Sequence, residues 1–259
     1  MKFALIGNGF IAPKHIEAIK HIGGELVAVC DIDENKRLPD IPFFTNYEEA
    51  ILCADAVAIC TPNDLHAEMA IGASRKGKRV LCEKPITFKQ EEIELMRNVP
   101  NLFGVFQIRK LPEINEMRKL ASKARKISLR VEMKRSNSYQ SSWKGDPKRT
   151  GGLLVNIGIH YFDLLGHLFG YEGFKSEKMD NPKDTFSFGT LHYPNKTVEW
   201  CLDLTEEKPN YERSLIIDGV KFDLVQKENL HKKVYEDFMW GHGTTVKDEE
   251  KILRMIHAL

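Results

Sequence analysis

Apolar positions along this chain follow two different rhythms. Up to about residue 110, short runs of consecutive apolar residues alternate with stretches in which apolar residues recur every three or four positions. The runs at 3–6, 26–30, 56–60, 79–82 and 102–106 predict strands, and the periodic stretches at 10–22, 47–52, 65–76 and 90–97 predict helices. Strands that alternate with helices in this way build a doubly wound parallel sheet.

Beyond residue 110 the alternation stops. Residues 111–121 predict a helix, 126–134 a long alternating strand, 135–150 a polar loop carrying aromatics, and 152–169 one amphipathic helix. Four strands then follow at 185–193, 197–204, 214–217 and 221–224, with helices at 230–239 and 247–258. Strands in succession, joined by turns such as Pro194-Asn195-Lys196, predict antiparallel pairing. The expected fold class is α/β: a Rossmann doubly wound parallel sheet over residues 1–110, then a C-terminal α+β domain with a largely antiparallel sheet over 111–259.

Composition changes this picture little. The 38 basic and 37 acidic residues leave a net charge of +1, too little to attract nucleic acid or an anionic membrane as a whole, so any anionic ligand needs a local cluster. The longest apolar runs fall short of the roughly 20 residues that span a bilayer. The five cysteines, Cys30, Cys53, Cys60, Cys82 and Cys201, form no C-x-x-C pair. The expectation is free thiols, no disulfide framework and a cytoplasmic protein.

The first strand runs into Gly7-Asn8-Gly9-Phe10-Ile11-Ala12, a G-x-G-x-x-A turn that opens a helix. In such a turn Gly7 permits the tight bend, Gly9 lets backbone approach a pyrophosphate, and Ala12 lets helix and strand pack closely. The motif alone is weak, but Asp31 ends the second strand about 20 residues on, where a ribose-binding acid is expected. Its carboxylate accepts from a ribose 2′-hydroxyl and repels a 2′-phosphate, which favours NAD over NADP. Lys36 and Arg37 read as a solvated face rather than a phosphate clamp.

Three further segments bear on chemistry: Cys60-Thr61-Pro62-Asn63-Asp64-Leu65-His66, then Glu83-Lys84-Pro85, then Gly151-Gly152-Leu153-Leu154-Val155-Asn156-Ile157-Gly158-Ile159-His160. A lysine beside a nicotinamide can stabilise a developing alkoxide, and a histidine titrating near neutrality can take a hydroxyl proton. With the glycine turn, these T-P-N-x-x-H, E-K-P and G-G-x-x-x-N-x-G-x-H elements resemble the Gfo/Idh/MocA oxidoreductases in order and spacing, over nearly the whole chain. The resemblance implies that Lys84 and His160 are catalytic. It also implies that Gly7, Gly9, Phe10, Ile11, Asp31, Thr61, Pro62, Asn63, His66, Glu83 and Lys84 bind the cofactor, with Glu83 near the nicotinamide ribose.

Asn156 stands where many members carry aspartate, which leaves His160 as the sole expected base. This variant is similar to a narrower subgroup, the UDP-N-acetylglucosaminuronate 3-dehydrogenases of bacterial surface-sugar pathways. The shared stretches are Asn156-Ile157-Gly158-Ile159-His160-Tyr161-Phe162-Asp163, Gln107-Ile108-Arg109, Ser142-Trp143-Lys144-Gly145-Asp146 and Val234-Tyr235-Glu236-Asp237. From that likeness Lys84, Arg109, Trp143, Lys144, Asn156 and His160 are expected to bind a sugar or nucleotide-sugar substrate, and Lys148 and Arg149 are further basic candidates. The competing readings are a dehydrogenase of another sugar or inositol, and a non-catalytic NAD-binding regulator. No metal is expected: His160, Asp163 and His167 have helical spacing but lack an H-E-x-x-H or C-x-x-C companion. Relatives of this kind imply a homodimer or homotetramer.

Overall fold

The computed structural model describes residues 1–205, 211–225 and 228–259. The elements run β1 (Lys2–Ile6), α1 (Ala12–His21), β2 (Glu25–Cys30), β3 (Phe43–Phe44), α2 (Tyr47–Leu52), β4 (Ala56–Ile59), α3 (His66–Arg75), β5 (Arg79–Cys82), α4 (Gln90–Met96) and β6 (Leu102–Gly104). They continue with α5 (Ile114–Ala121), β7 (Lys126–Glu132), α6 (Asn137–Gln140), α7 (Pro147–Thr150), α8 (Gly152–Asn156) and α9 (Ile159–Phe169). The last are β8 (Lys175–Asp180), β9 (Phe186–Tyr193), β10 (Lys196–Asp203), β11 (Arg213–Ile217), β12 (Val220–Asp223), α10 (His231–Met239) and α11 (Val246–His257). The chain forms two compact units, Met1–Gln107 with Glu228–Glu249, and Ile108–Lys227 with Glu250–Leu259.

In the first unit six strands pair in parallel in the order β3-β2-β1-β4-β5-β6. Residues such as Leu5, Ile6, Val57, Ile59 and Leu81 are fully or almost fully buried, because helices cover both faces of a parallel sheet. That is why these strands read as unbroken apolar runs. The order reverses beside β1, and the carboxyl ends of β1 and β4 flank this switch point, where open α/β sheets bind ligands.

Helix α10 belongs to this unit, although the sequence reading grouped residues 111–259. Its Val234, Tyr235 and Phe238 join Phe3, Leu5, Ala18 and Ile19 in one buried cluster. The Phe103 and Phe238 rings meet edge-on at 6.0 Å. Helical periodicity reveals an apolar stripe but not which sheet the stripe covers.

The second unit holds a sheet in the order β12-β11-β7-β10-β9-β8, antiparallel except for the β7–β10 pair. Along β7, Ile127, Leu129 and Val131 are buried while Lys126 and Arg130 are exposed. Trp200 of β10 meets Phe162 of α9 edge-on at 5.1 Å, so α9 packs on this buried face.

Three differences from the sequence reading have local causes. The expected single helix at 152–169 breaks after α8: Ile157 N and Gly158 N both donate to Leu153 O, and a Cβ at Gly158 would lie 2.4 Å from Leu154 O. The expected loop at 135–150 contains short helical turns, capped where Ser142 Oγ accepts from Lys144 N and Asp146 Oδ1 from Lys148 N. Strand β8, of sequence KSEKMD, lacks alternation because it is a lysine-bearing edge strand with most of its residues exposed. The helical run Pro147–Phe169 reaches membrane-spanning length and hydropathy, but 61% of its most apolar window is buried inside the protein.

Candidate active site

The glycine turn follows β1. Gly7 has φ +90°, and a Cβ there would lie 2.8 Å from Cys60 C and O, so only glycine fits between the first and fourth strand ends. Gly9 has nothing within 4 Å of where a Cβ would stand. Helix α1 starts directly after it, with Ile11 at its N-cap and Ala12 fully buried. Open backbone at the start of a ten-residue helix supplies N–H donors and a partial positive charge, the needs of a pyrophosphate.

Asp31 lies beside this turn. Its Oδ2 accepts from Asn8 N at 2.8 Å and its Oδ1 from Asp33 N at 3.0 Å. Each oxygen keeps a further lone pair for a ribose hydroxyl, so these residues fit a dinucleotide. Phe10 and Ile32 flank the site and are 90% and 92% exposed. Arg37 pairs with Glu34 at 3.0 Å and stacks on Phe43, which fits a surface role.

The loops after β4 and β5 are tied together. His66 is fully buried, with Nδ1 2.6 Å from Pro85 O and Nε2 2.8 Å from Thr61 O. A neutral ring donates to one carbonyl at a time, and burial lowers the pKa of this ring. His66 thus links the two loops from inside rather than presenting itself to a ligand. Asn63 is buried, while Thr61, Pro62 and Lys84 are partly exposed.

Glu83 also turns inward. Its Oε1 accepts from His15 Nε2 at 2.9 Å and His231 Nε2 at 3.3 Å, and Tyr235 Oη lies 2.8 Å from His15 Nδ1. Burial alone would raise the Glu83 carboxyl, but the two histidine hydrogen bonds hold it well below the ordinary range. Burial lowers His15 against the pull of Glu83 and raises the Tyr235 phenol. These directions describe one consistent proton arrangement: Tyr235 donates to a neutral His15, which donates to an ionised Glu83. The three side chains His15, Glu83 and His231 lie close enough to hold a cation. Among the described residues, however, they form a set of three with no fourth ligand, and their facing atoms are already hydrogen-bonded to one another.

In the second unit, the break between α8 and α9 places Asn156 at one helix end and His160 in the first turn of the next. Asn156 Nδ2 donates to Tyr139 Oη at 3.3 Å and Lys144 O at 3.4 Å. Lys144 Nζ lies 5.8 Å from the Tyr139 ring and 5.8 Å from the Trp143 ring, and the Arg135 guanidinium lies 4.8 Å from Tyr139. Burial and the charge of Arg135 both lower the pKa of Lys144. Tyr139, Lys144, Leu153, Asn156 and Lys183 help line one small pocket. Arg109 is arranged otherwise: its Nε and Nη2 donate to buried Asp163, and Nη2 also to Tyr171 Oη. The fork expected to meet a substrate carboxylate holds an internal one.

Residues 1–99 match the Gfo/Idh/MocA oxidoreductase-family model for an NAD-binding Rossmann fold, and residues 124–250 match its C-terminal alpha/beta domain. The chain belongs to this family. Its first unit is an NAD-binding Rossmann domain.

Among solved Gfo/Idh/MocA-like structures, the WlbA (WbpB) dehydrogenase of Thermus thermophilus, in complex with NAD and UDP-GlcNAcA, is 29% identical with a TM-score of 0.87. That match covers 99% of this chain and 93% of that one. Glucose-6-phosphate 3-dehydrogenase of Bacillus subtilis is 30% identical over 65% of this chain and 53% of its own length. Inositol 2-dehydrogenase of Rhizobium meliloti is 29% identical over 66% of this chain and 56% of its own. The chain thus spans about half the length of these curated relatives.

The sequence assigned no role to His15, Arg135, His231 or Glu249, and Tyr235 stood out only within the shared Val234-Tyr235-Glu236-Asp237 stretch. His15 carried a signal, standing three positions after Ala12 in the Gfo/Idh/MocA glycine turn, on the helix face that carries Ala12 and Ile19. The hydrogen-bond partners of His231, Tyr235 and Glu249 lie 148 or more positions away, whereas Arg135 meets Tyr139 within its own loop.

Proposed function

We propose that this chain is an NAD-dependent dehydrogenase that oxidises the 3-hydroxyl of UDP-N-acetylglucosaminuronate, in the making of bacterial surface-polysaccharide sugars. The observation that carries the reading is the likeness, over 99% of the chain, to a 29% identical dehydrogenase crystallised with NAD and UDP-GlcNAcA. The Arg135–Lys144 pair beside Trp143 supports it, since two neighbouring cations and an aromatic face suit an anionic, ring-bearing ligand. This pair replaces Arg109, which is engaged by Asp163.

Gly7, Gly9, Phe10, Ile11, Asp31, Thr61, Pro62 and Asn63 would hold the cofactor, with His66 and Glu83 shaping their loops from behind. When bound, NAD supplies the acceptor for the hydride leaving the sugar carbon. Lys84 donates to the sugar oxygen and stabilises its developing negative charge. His160 takes the hydroxyl proton. Asn156 cannot act as a base and orients the sugar instead. The product is a ketosugar, and the hydroxyl proton ends on His160.

A second reading has support from the glucose-6-phosphate 3-dehydrogenase relative, because the same two cations suit a phosphate. The test is NADH formation with UDP-N-acetylglucosaminuronate, UDP-N-acetylglucosamine, glucose 6-phosphate and myo-inositol, each with and without 2-oxoglutarate to reoxidise retained NADH. The expected result is the highest kcat/KM for the acidic nucleotide sugar. Preference for glucose 6-phosphate overturns the substrate but keeps the reaction. NAD binding with no sugar oxidised overturns the enzyme reading in favour of an NAD-binding regulator. A homodimer or homotetramer is expected, and sedimentation velocity tests it.

A further inference from the structure

Lys84 sits in a loop whose neighbours are all pinned from behind. Glu83 N continues the sheet to Ile59 O at 2.9 Å, and its side chain enters the His15–His231–Tyr235 network. Pro85 O faces His66 Nδ1. Ile86 N donates to Glu249 Oε2 at 2.8 Å, and Thr87 N to Glu249 Oε1 at 3.0 Å. The partners come from α1, α3, α10 and α11, and Glu249 lies 163 positions from Ile86.

The composition of this clamp is unusual for a device that only holds a fold. Glu249 is 1% exposed and Glu83 8%. Taking a carboxylate out of water is costly unless its hydrogen bonds are well made. A neutral side chain with one acceptor would tie down one N–H. The carboxylate fork of Glu249 instead takes two successive N–H groups and fixes the direction of the backbone as well as its position. At the other end of the loop Glu83 is held by its side chain, which gathers two imidazole nitrogens on one oxygen. Between these two anchors lies the lysine.

We propose that Glu249, together with the His15–Glu83–His231–Tyr235 network, forms a two-ended clamp of positioning residues that holds Lys84 at the geometry its chemistry requires. The proposal rests on the reading above that Lys84 acts on the substrate oxygen. None of the clamp residues touches the reacting atoms; they act through the backbone of residues 83–87. The C-terminal segment 228–249 is therefore a working part of the nucleotide-binding unit, and not merely cover for its sheet.

The test compares the unmodified chain with Glu249→Gln, Glu249→Asp and Tyr235→Phe. Glutamine keeps the size of Glu249 but puts an N–H₂ against one backbone donor. Tyr235→Phe removes one hydroxyl at the far end of the network and leaves the packing intact, so it serves if Glu249→Gln fails to fold. One arm reads kcat and KM with NAD and UDP-N-acetylglucosaminuronate. Misplacing a reacting group by about 1 Å costs on the order of a hundred-fold, so kcat should fall roughly ten- to a hundred-fold in Glu249→Gln with KM for NAD nearly unchanged. Glu249→Asp should recover part of the loss, and Tyr235→Phe should show the same pattern more weakly.

The second arm needs no turnover. Lysines are reductively methylated with ¹³C-formaldehyde, and the Lys84 resonance is assigned by its loss in Lys84→Arg. The expected result is one narrow Lys84 signal in the unmodified chain, and a displaced or broadened one in Glu249→Gln and Tyr235→Phe. An unchanged Lys84 signal in both variants, or an equal kcat, overturns the clamp. A changed signal in a chain that oxidises none of the sugars keeps the clamp and overturns the proposed reaction instead.

Discussion

Replacing Gly9 with alanine should separate cofactor binding from folding. The backbone of Gly9 is outside the left-handed region, and a Cβ built there has no atom within 4 Å. The folded chain should therefore accept the methyl without loss, and such a change can stabilise by about 0.4–1 kcal/mol through the unfolded state. The methyl points into open space at the start of α1, where the pyrophosphate is expected. Crowding a close-packed contact by one methyl costs about 1–3 kcal/mol. At about 2 kcal/mol, NAD affinity falls roughly thirty-fold.

Gly7→Ala supplies the contrast. Its φ is +90°, and its Cβ would lie 2.8 Å from Cys60 C and O and 2.9 Å from Thr61 N. These are backbone atoms, which cannot rotate away. The left-handed conformation adds about 1–2 kcal/mol to the overpacking cost. Thermal unfolding with and without NAD, with calorimetric titration, measures both. At NAD about a hundred times the unmodified Kd, bound cofactor contributes about 2.7 kcal/mol, and a roughly thirty-fold weaker site keeps about 0.9. The NAD-induced rise in Tm should thus shrink to about a third in Gly9→Ala, while its apo Tm holds. Gly7→Ala should instead lose several degrees of apo Tm, at roughly 2–4 °C per kcal/mol. If Gly9→Ala binds NAD as tightly as the unmodified chain, or unfolds as early as Gly7→Ala, the assignment of the turn is wrong.

Other expectations follow from single contacts. Asp31→Ser should narrow the preference for NAD over NADP in calorimetric titration, since the anchored carboxylate is what opposes a 2′-phosphate. Lys84→Met and His160→Ala should each lose about 10²–10⁴-fold in turnover while keeping NAD affinity, as measured by steady-state kinetics beside titration. Arg109→Ala should lower Tm rather than alter substrate choice, because it strands Asp163, which is 1% exposed; the cost is about 3 kcal/mol. His15 and His66 have lowered folded pKa values, so below about pH 6.5 the unfolded chain binds protons that the folded chain refuses. Stability should therefore fall with pH from there by up to about 1.4 kcal/mol per pH unit for each ring, and further once pH drops below the ordinary carboxylate range and Glu83 begins to lose its advantage. A Tm that stays flat between pH 7 and 5 would contradict the buried, neutral state of these rings.

What the sequence disclosed, and what it hid, divide along a physical line. The six strands of the first sheet were legible except Phe43–Phe44, because burial on both faces writes an apolar run into the chain. The glycine turn, Asp31 and the loops bearing Thr61 and Lys84 were legible because each occupies a strand end, a position that local pattern fixes. Arg109 shows the converse. Its place in a Q-x-R stretch points to a substrate carboxylate, while the structure pairs it with Asp163, 54 positions away in the chain. The helix break at Gly158 was hidden too, since glycine within an apolar periodic stretch does not by itself announce how closely Leu202 and Phe162 approach.

The same line explains why the proposed clamp around Lys84 is not legible in the sequence while the E-K-P letters are. The lysine stands between Glu83 and Pro85, so three adjacent letters point to it. Its proposed supports, His15, His231, Tyr235 and Glu249, are single polar residues on helices, and each is tied to its partner by a hydrogen bond spanning dozens of residues or more. A histidine or glutamate on a helix reads as surface by default. Burial to a few per cent or less is what reverses that reading for these four, and burial is decided by the packing of α10 and the start of α11 against the first sheet. The proposed reactive groups are thus named by their neighbours in sequence, whereas the groups proposed to aim them are named by their neighbours in space. In this chain the second set lies mostly in the returning segment 228–249, the part whose domain membership the sequence could not show.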